Sequence, residues 1–379
     1  MKSFSKEIDR FVEEHAEETL TLLRTLAAIP APSGHEEQRA AFCLHWLREQ
    51  GADSAYIDAA GNVLFPFHVT GGKPCIVISA HMDVVFPDTD TLPVREDDKY
   101  LYAPGVGDDT ANLVNLLLCI KYVLTCGKSP ATGILFAANT CEEGLGNLRG
   151  TRQIFQDFAG TVTGMLSFDL YLGDLINRAV GSRRYRIEIR TTGGHSYENF
   201  GNPSAIAILA DLIHALYRQK LPPAGKTTYN VGTVSGGTSV NAIAEYAECL
   251  YEIRSDDESS LACMEVSLQR LLDSFRDAPA QISLHLLGDR PCSSSSLDAE
   301  KMRQLTARQA TILEKYTGAP VRPHPSSTDA NIPLSLGIPA VTFGAVRGSG
   351  LHTRAERIEK ASLIPGQKAA LASVLSCFS

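Results

Sequence analysis

The run Cys75-Ile76-Val77-Ile78-Ser79-Ala80, followed at once by His81-Met82-Asp83, decides the fold class. An apolar stretch of this length fits a strand covered on both faces, as in a parallel sheet between helix layers. Gly133–Asn139 and Gly164–Phe168 are further buried-strand candidates. Between the first two runs, Thr110–Thr125 places Leu113, Leu116, Leu117, Ile120 and Leu124 on one side, a helical spacing. Upstream, residues 5–29 read as one helix striped by Leu22, Leu23, Leu26 and Ile29, and Pro30-Ala31-Pro32-Ser33-Gly34 stops it. A second helix at 36–50 pairs Phe42 with Trp46 and Cys43 with Leu47, and Gly51 ends it. Strands alternating with helices predict an α/β domain with a mostly parallel sheet.

The pattern changes near Gly181. Tyr185, Ile187 and Ile189 alternate with Arg184, Arg186, Glu188 and Arg190, the mark of a half-exposed strand. A helix at 203–219, strands at 227–235 and 245–254, a helix at 257–275 and a strand at 281–287 follow. That order, strand-helix-strand-strand-helix-strand, is the ferredoxin-like one. Cys292–Ser296 with its four serines reads as a linker or helix cap, after which come a helix, a short strand at 340–344 and a closing helix. The expected organisation is an α/β domain from 1–180 and 291–379, interrupted by an α+β domain at 181–290.

Length and composition agree. A chain of 379 residues suits two domains and a sizeable core. The net charge of −8, with no basic run, argues against nucleic acid as a partner. The longest apolar runs are far too short to cross a membrane, and Met1–Arg10 is charged, without the apolar core of a signal peptide. A cytoplasmic, soluble protein is expected. Nine scattered cysteines, with no CxxC, support neither disulfides nor a cysteine-ligated zinc. Cys43, Cys119 and Cys263 sit in apolar helical patterns and are expected as reduced core thiols.

Polar residues gather just after the buried strands, where open α/β sheets bind ligands. On an extended backbone His81 and Asp83 face the same way, so Asp83 can hold one imidazole nitrogen while the other meets a metal. Taken alone, the pair also fits a surface histidine beside a loop aspartate. Gly105-Val106-Gly107-Asp108-Asp109-Thr110 precedes a helix and lacks the spacing of a phosphate loop, an EF-hand or a dinucleotide fingerprint; one of its aspartates could simply cap the helix. Glu142 and Glu143 follow the 133–139 strand, and their mutual repulsion asks for a cation or for solvent. In the first case one is a ligand and the other a proton shuttle. Asp169 ends the 164–168 run, and His352 lies beyond the 340–344 strand. Two histidines and three carboxylates suit borderline-hard divalent metals such as zinc. Two such ions are neutralised by Asp108, Glu143, Asp169 and a bridging hydroxide, a site that acidifies water and polarises a carbonyl. No G-x-S-x-G occurs, which argues against a serine hydrolase.

Taken in order, SAHMDVV (79–85), GVGDDTAN (105–112), TCEEGLG (140–146), FDLYLG (168–173), GGHS (193–196), GGTSVNAIA (236–244), EIRS (252–255), STDAN (327–331) and LHTRAE (351–356) resemble the co-catalytic zinc exopeptidase and deacylase superfamily. The resemblance runs from about Ile29 to the C-terminus. It implies a zinc-exopeptidase-like catalytic domain with a ferredoxin-like lid and dimerisation domain inserted. It implies two divalent ions, zinc first, with cobalt or manganese as alternatives: His81 and Asp169 on one, Glu143 and His352 on the other, Asp108 bridging. Glu142 is then the general base for attack by the metal-bridging hydroxide, and Asp83 orients His81. His195, Asn241 and Arg254 would contact substrate. Two departures stand beside the ligands: Thr110 where the family often has Lys, and Arg354-Ala355 in place of the commoner Pro-Asn. Asp169, where many deacylases have Glu, leans towards peptidases. The expected activity is a di- or tripeptidase of aminopeptidase type, acting as a homodimer. An N-acyl-amino-acid deacylase or carboxypeptidase on the same scaffold is the alternative, and a catalytically silent binding protein has no physical need for Glu142.

Overall fold

Strand ends on one edge of a parallel sheet position the site. The computed structural model of the chain describes residues 5–318 and 320–378. They form two units: the described residues up to Ala179 together with those from Ser294 on, and Val180–Ser293.

In the first unit an eight-stranded sheet runs in the order Tyr56–Ile57, Val63–Phe67, Gly133–Asn139, Cys75–His81, Val162–Phe168, Ala340–Phe343, Asp174–Ala179, Arg322–Ser326. The four central strands are parallel, with His81 opposite Asn139, Ser79 opposite Ser167 and Phe168 opposite Phe343. Their carboxyl ends therefore share one edge, and the loops after them open on the same side. The helix Ala111–Thr125 is buried almost all round, as its apolar composition requires. Phe136, Phe168 and Phe343 fill the centre of the core.

Two expectations are corrected here. The helix read over 5–29 is two, Ser5–Glu14 and Ala16–Ala28. At His15 the backbone leaves helical angles, and its Nδ1 lies 2.8 Å from the Phe11 carbonyl oxygen. The Phe11 carbonyl thus meets both the His15 ring nitrogen and the His15 N–H, the latter at 3.1 Å, at the point where the two helices join. Cys263 is exposed and is not a core thiol, because the helix Glu258–Ser274 buries Leu261, Met264 and Leu268, a stripe that leaves position 263 outside. All nine cysteines are free. Elements the periodicity did not reveal are the helix Arg149–Asp157, the strands Asp174–Ala179 and Arg322–Ser326, and a small sheet of Gly348–Ser349, Arg357–Glu359, Tyr100–Tyr102 and Arg95–Glu96.

The second unit is an antiparallel sheet ordered Thr227–Gly236, Tyr246–Ser255, Gly181–Arg190, Gln281–Arg290. Along Tyr246–Ser255 burial alternates residue by residue, with Ala247, Cys249, Tyr251 and Ile253 inward. The helices Ala205–Leu216 and Glu258–Ser274 cover that inner face with Leu209, Leu212, Met264 and Leu268. Asp257 caps the second helix by accepting the Ser260 N–H at 2.8 Å. Among the described residues no helix is long and apolar enough to cross a membrane.

Candidate active site

His81 is the last residue of its strand, Asp169 immediately follows Val162–Phe168, and Glu142 and Glu143 come just after Gly133–Asn139. Asp108 lies in the turn Val106–Thr110 that leads into Ala111–Thr125, and the Asp108–Asp109 peptide is cis. His352 sits between Gly348–Ser349 and Arg357–Glu359, with a left-handed φ of 58°. Six residues from five distant segments meet.

The Asp108 carboxylate stands between the two imidazoles. Its Oδ1 is 3.0 Å from His81 Nε2 and its Oδ2 is 3.2 Å from His352 Nε2. On the first side Asp169 Oδ1 lies 3.7 Å from His81 Nε2, and on the second Glu143 Oε1 lies 3.2 Å from His352 Nε2. Donor atoms of His81, Asp108, Asp109 and Asp169 fall within 4.8 Å of one another, as do those of Asp108, Glu143 and His352, and those of His81, Glu142 and Glu143. Asp83 reaches His81 Nδ1 with its carbonyl oxygen at 3.0 Å and its carboxylate at 3.4 Å. That carboxylate also accepts the backbone N–H groups of Glu142 (3.0 Å) and Glu143 (2.8 Å) and the Ser33 hydroxyl (2.6 Å). One side chain thus orients the imidazole and holds the loop of the two glutamates.

The electrostatics fit cations. Burial, then the charge of Asp108, pushes Asp169 up to about 7 and raises Glu143 above the usual carboxylate range. The Asp108 and Glu143 carboxylates, each 3.2 Å from its Nε2, raise His352 to about 10. His81 is buried, which lowers its pKa, yet Asp109, Asp108, Asp169 and Asp83 together hold it well above the ordinary histidine value. Glu143 Oε1 and Asp169 Oδ1 are buried without a hydrogen-bond partner. Buried carboxylates that must otherwise take protons or go unsatisfied, set among imidazoles, are the donors a pair of borderline-hard divalent ions selects.

Several supporting residues escaped sequence reasoning. Asp109 accepts the His81 backbone N–H at 2.9 Å and the Asn112 amide at 2.7 Å. Asp329, with no solvent exposure, is held by Thr151 (2.5 Å) and Asn139 (2.7 Å). Both lie in blocks already noted, so their signal was present but unassigned. Arg39 had only its place on the covered helix face, four residues before Cys43, to mark it: its guanidinium is fully buried and donates to the carbonyls of Met82 (2.7 Å), Ile29 (2.7 Å) and Leu26 (3.1 Å). Thr110 Oγ1 donates to the Gly105 carbonyl at 2.7 Å and lies 3.4 Å from Arg39 Nη1, so a buried cation already stands beside the position where Lys was expected. Arg354 pairs with both oxygens of Asp88, at 3.1 and 2.8 Å.

His195, Asn241 and Arg254 belong to the second unit. His195 Nδ1 accepts the N–H groups of Tyr197 and Glu198, each at 3.3 Å, which places the ring proton of the neutral form on Nε2. The strand pair Gly194–His195 and Ala242–Ile243 joins this loop to the one carrying Asn241, whose carbonyl accepts the Ser196 N–H at 3.0 Å. Arg254 offers its fork to Glu252, at 2.5 and 3.1 Å.

Residues 77–376 match Peptidase family M20/M25/M40, and the chain belongs to that family. It is a metallopeptidase or amidohydrolase by class, acting on amide bonds. The succinyl-diaminopimelate desuccinylase of Beijerinckia indica is 27% identical over 315 residues, covering 77% of this chain and 80% of that one. A tripeptidase from Staphylococcus aureus has the same fold, with a TM-score of 0.74 at 21% identity over 95% of this chain and 98% of that one. So does a dinuclear metal-binding M20 peptidase of Bacillus subtilis, with a TM-score of 0.61 at 16% identity over 96% of this chain and 99% of that one.

Proposed function

We propose that this chain is a di- or tripeptidase of aminopeptidase type that holds two divalent ions, zinc first. The observation that carries the reading is the Asp108 carboxylate shared between His81 and His352, with Asp169 beside the first and Glu143 beside the second. His81 and Asp169 would hold one ion, Glu143 and His352 the other, and Asp108 both. Bound there, the ions polarise the scissile carbonyl and acidify water. Glu142, buried beside His81 and Glu143, takes the proton of the attacking water and returns it to the leaving amine. Asp83 keeps His81 and the Glu142–Glu143 loop in register. His195, its Nε2–H free to donate, stabilises the oxyanion of the tetrahedral intermediate, and Asn241 binds substrate with it. Arg254 leaves Glu252 to grip a substrate carboxylate.

The Val180–Ser293 unit serves as lid and dimerisation domain in a homodimer. Its Thr227–Gly236 strand closes one end of the sheet with an open edge, and the loop after His195 exposes Tyr197 and Phe200, at 86% and 91%. Nine free cysteines favour a reducing, cytoplasmic compartment. The similarity to a desuccinylase supports a second reading, an N-acyl-amino-acid deacylase, against which Asp169 in place of Glu is the sequence argument. The deciding experiment is a panel of dipeptides, tripeptides and N-acyl amino acids assayed with zinc-, cobalt- and manganese-reconstituted protein, products identified by mass. Release of N-terminal residues from small peptides supports the peptidase. Cleavage of acyl amino acids alone selects the second reading, and no amide cleavage with any ion refutes both.

A further inference from the structure

We propose that Glu356 is a positioning residue that fixes the three segments bearing Asp108, Asp169 and His352, and so sets the affinity of the metal centre; this rests on the two-ion reading of that centre. Glu356 is buried, at 1% exposure, four residues after His352. Its Oε2 accepts the Gly105 N–H at 2.8 Å. Its Oε1 accepts the N–H groups of Gly107 and of Asp108 itself, both at 3.0 Å, and the Tyr171 hydroxyl at 2.8 Å. Tyr171 lies two residues beyond Asp169. One carboxylate therefore touches the backbone of the shared ligand, a side chain from the Asp169 loop, and its own His352 loop, which the Thr353–Gly350 and Glu356–Thr353 backbone bonds close at 2.9 and 3.1 Å.

The approach depends on the glycine. A Cβ at Gly107 would stand 2.4 Å from the Tyr171 ring and 2.9 Å from Glu356 Oε1, so a larger residue would displace the clamp. Three donors crowd Oε1 and one holds Oε2, so the carboxylate is committed to backbone and hydroxyl donors of the surrounding segments. Its part is to hold ligands, as the outer partners of metal sites do.

The test is a chelator-buffered zinc titration of metal-free wild type, Glu356→Gln, Tyr171→Phe and Glu356→Ala, with far-ultraviolet circular dichroism and activity measured alongside. Glu356→Gln keeps the size but sets an NH2 against a backbone N–H, and zinc affinity should fall ~10–100-fold at both sites, with kcat reduced and KM unchanged. Tyr171→Phe removes only the tie to the Asp169 loop and should weaken one site, by roughly tenfold. If Glu356→Ala does not fold, these two variants decide the matter. Folded Gln and Phe variants that bind two zinc ions with wild-type affinity would reduce Glu356 to a turn cap and overturn the proposal. Wild type that binds no divalent ion overturns the two-ion reading, and the proposal with it.

Discussion

Replacing Asp83 by Asn tests whether one carboxylate organises both the His81 ligand and the Glu142–Glu143 loop. Both carboxylate oxygens receive backbone N–H groups, Oδ1 from Glu142 at 3.0 Å and Oδ2 from Glu143 at 2.8 Å. In either flip, the Asn amide therefore sets its NH2 against one of them. A buried N–H left without an acceptor costs about 1–3 kcal/mol. The bonds that survive lose their ionic partner, and charge-assisted bonds are roughly twice as strong as neutral ones. Together these remove about 2–4 kcal/mol, and at ~2–4 °C per kcal/mol for a domain of this size the metal-free melting temperature should fall by about 5–15 °C. The same change weakens the hold on His81 Nδ1, 3.4 Å away, and losing such an outer partner typically costs 10–100-fold in metal affinity. Calorimetry of the metal-free variant, with a competitive zinc titration, reads both effects. A variant that melts with wild type and binds zinc as tightly would refute the reasoning.

Glu142→Gln should lower turnover by at least ~10²-fold while elemental analysis finds the metal content unchanged; near-full turnover would remove Glu142 as the base. His352→Ala and Asp108→Ala should lose metal as well as rate, and unaltered metal content in either would contradict the ligand assignment. Arg254→Lys, which surrenders the planar fork, should raise KM more for substrates with a free carboxylate than for their amides; equal shifts would leave only the Glu252 pair seen here. His195→Ala should cost ~10²–10³-fold in rate with little effect on metal. If His195 acts across a dimer, mixing that variant with Glu142→Gln restores part of the activity, whereas inactive mixed dimers would confine His195 to its own subunit or to no catalytic part.

Local pattern determined much of this protein. Continuous apolar runs marked Cys75–His81, Gly133–Asn139 and Val162–Phe168, because strands buried on both faces are mostly apolar. Strict alternation marked Gly181–Arg190 and Tyr246–Ser255, where one face is covered and one is wet. Arg322-Pro323-His324-Pro325-Ser326 stayed hidden, since two prolines argue against a strand. It is one only because it lies at the sheet's edge, where proline's missing N–H can be spared. The candidate donors were legible one by one, as polar residues after strand ends. That Asp108 stands within 3.2 Å of both His81 and His352 was not, because the sheet's register and the 348–359 hairpin bring them together. Supporting contacts were least legible of all. Glu356 meets Gly105 across 251 residues, and Arg39, four residues before Cys43 on the covered face of its helix, carries there a charge whose partners the helix pattern cannot name. Periodicity records which face of an element is covered; which distant backbone groups a buried charge will meet is settled only when the elements pack.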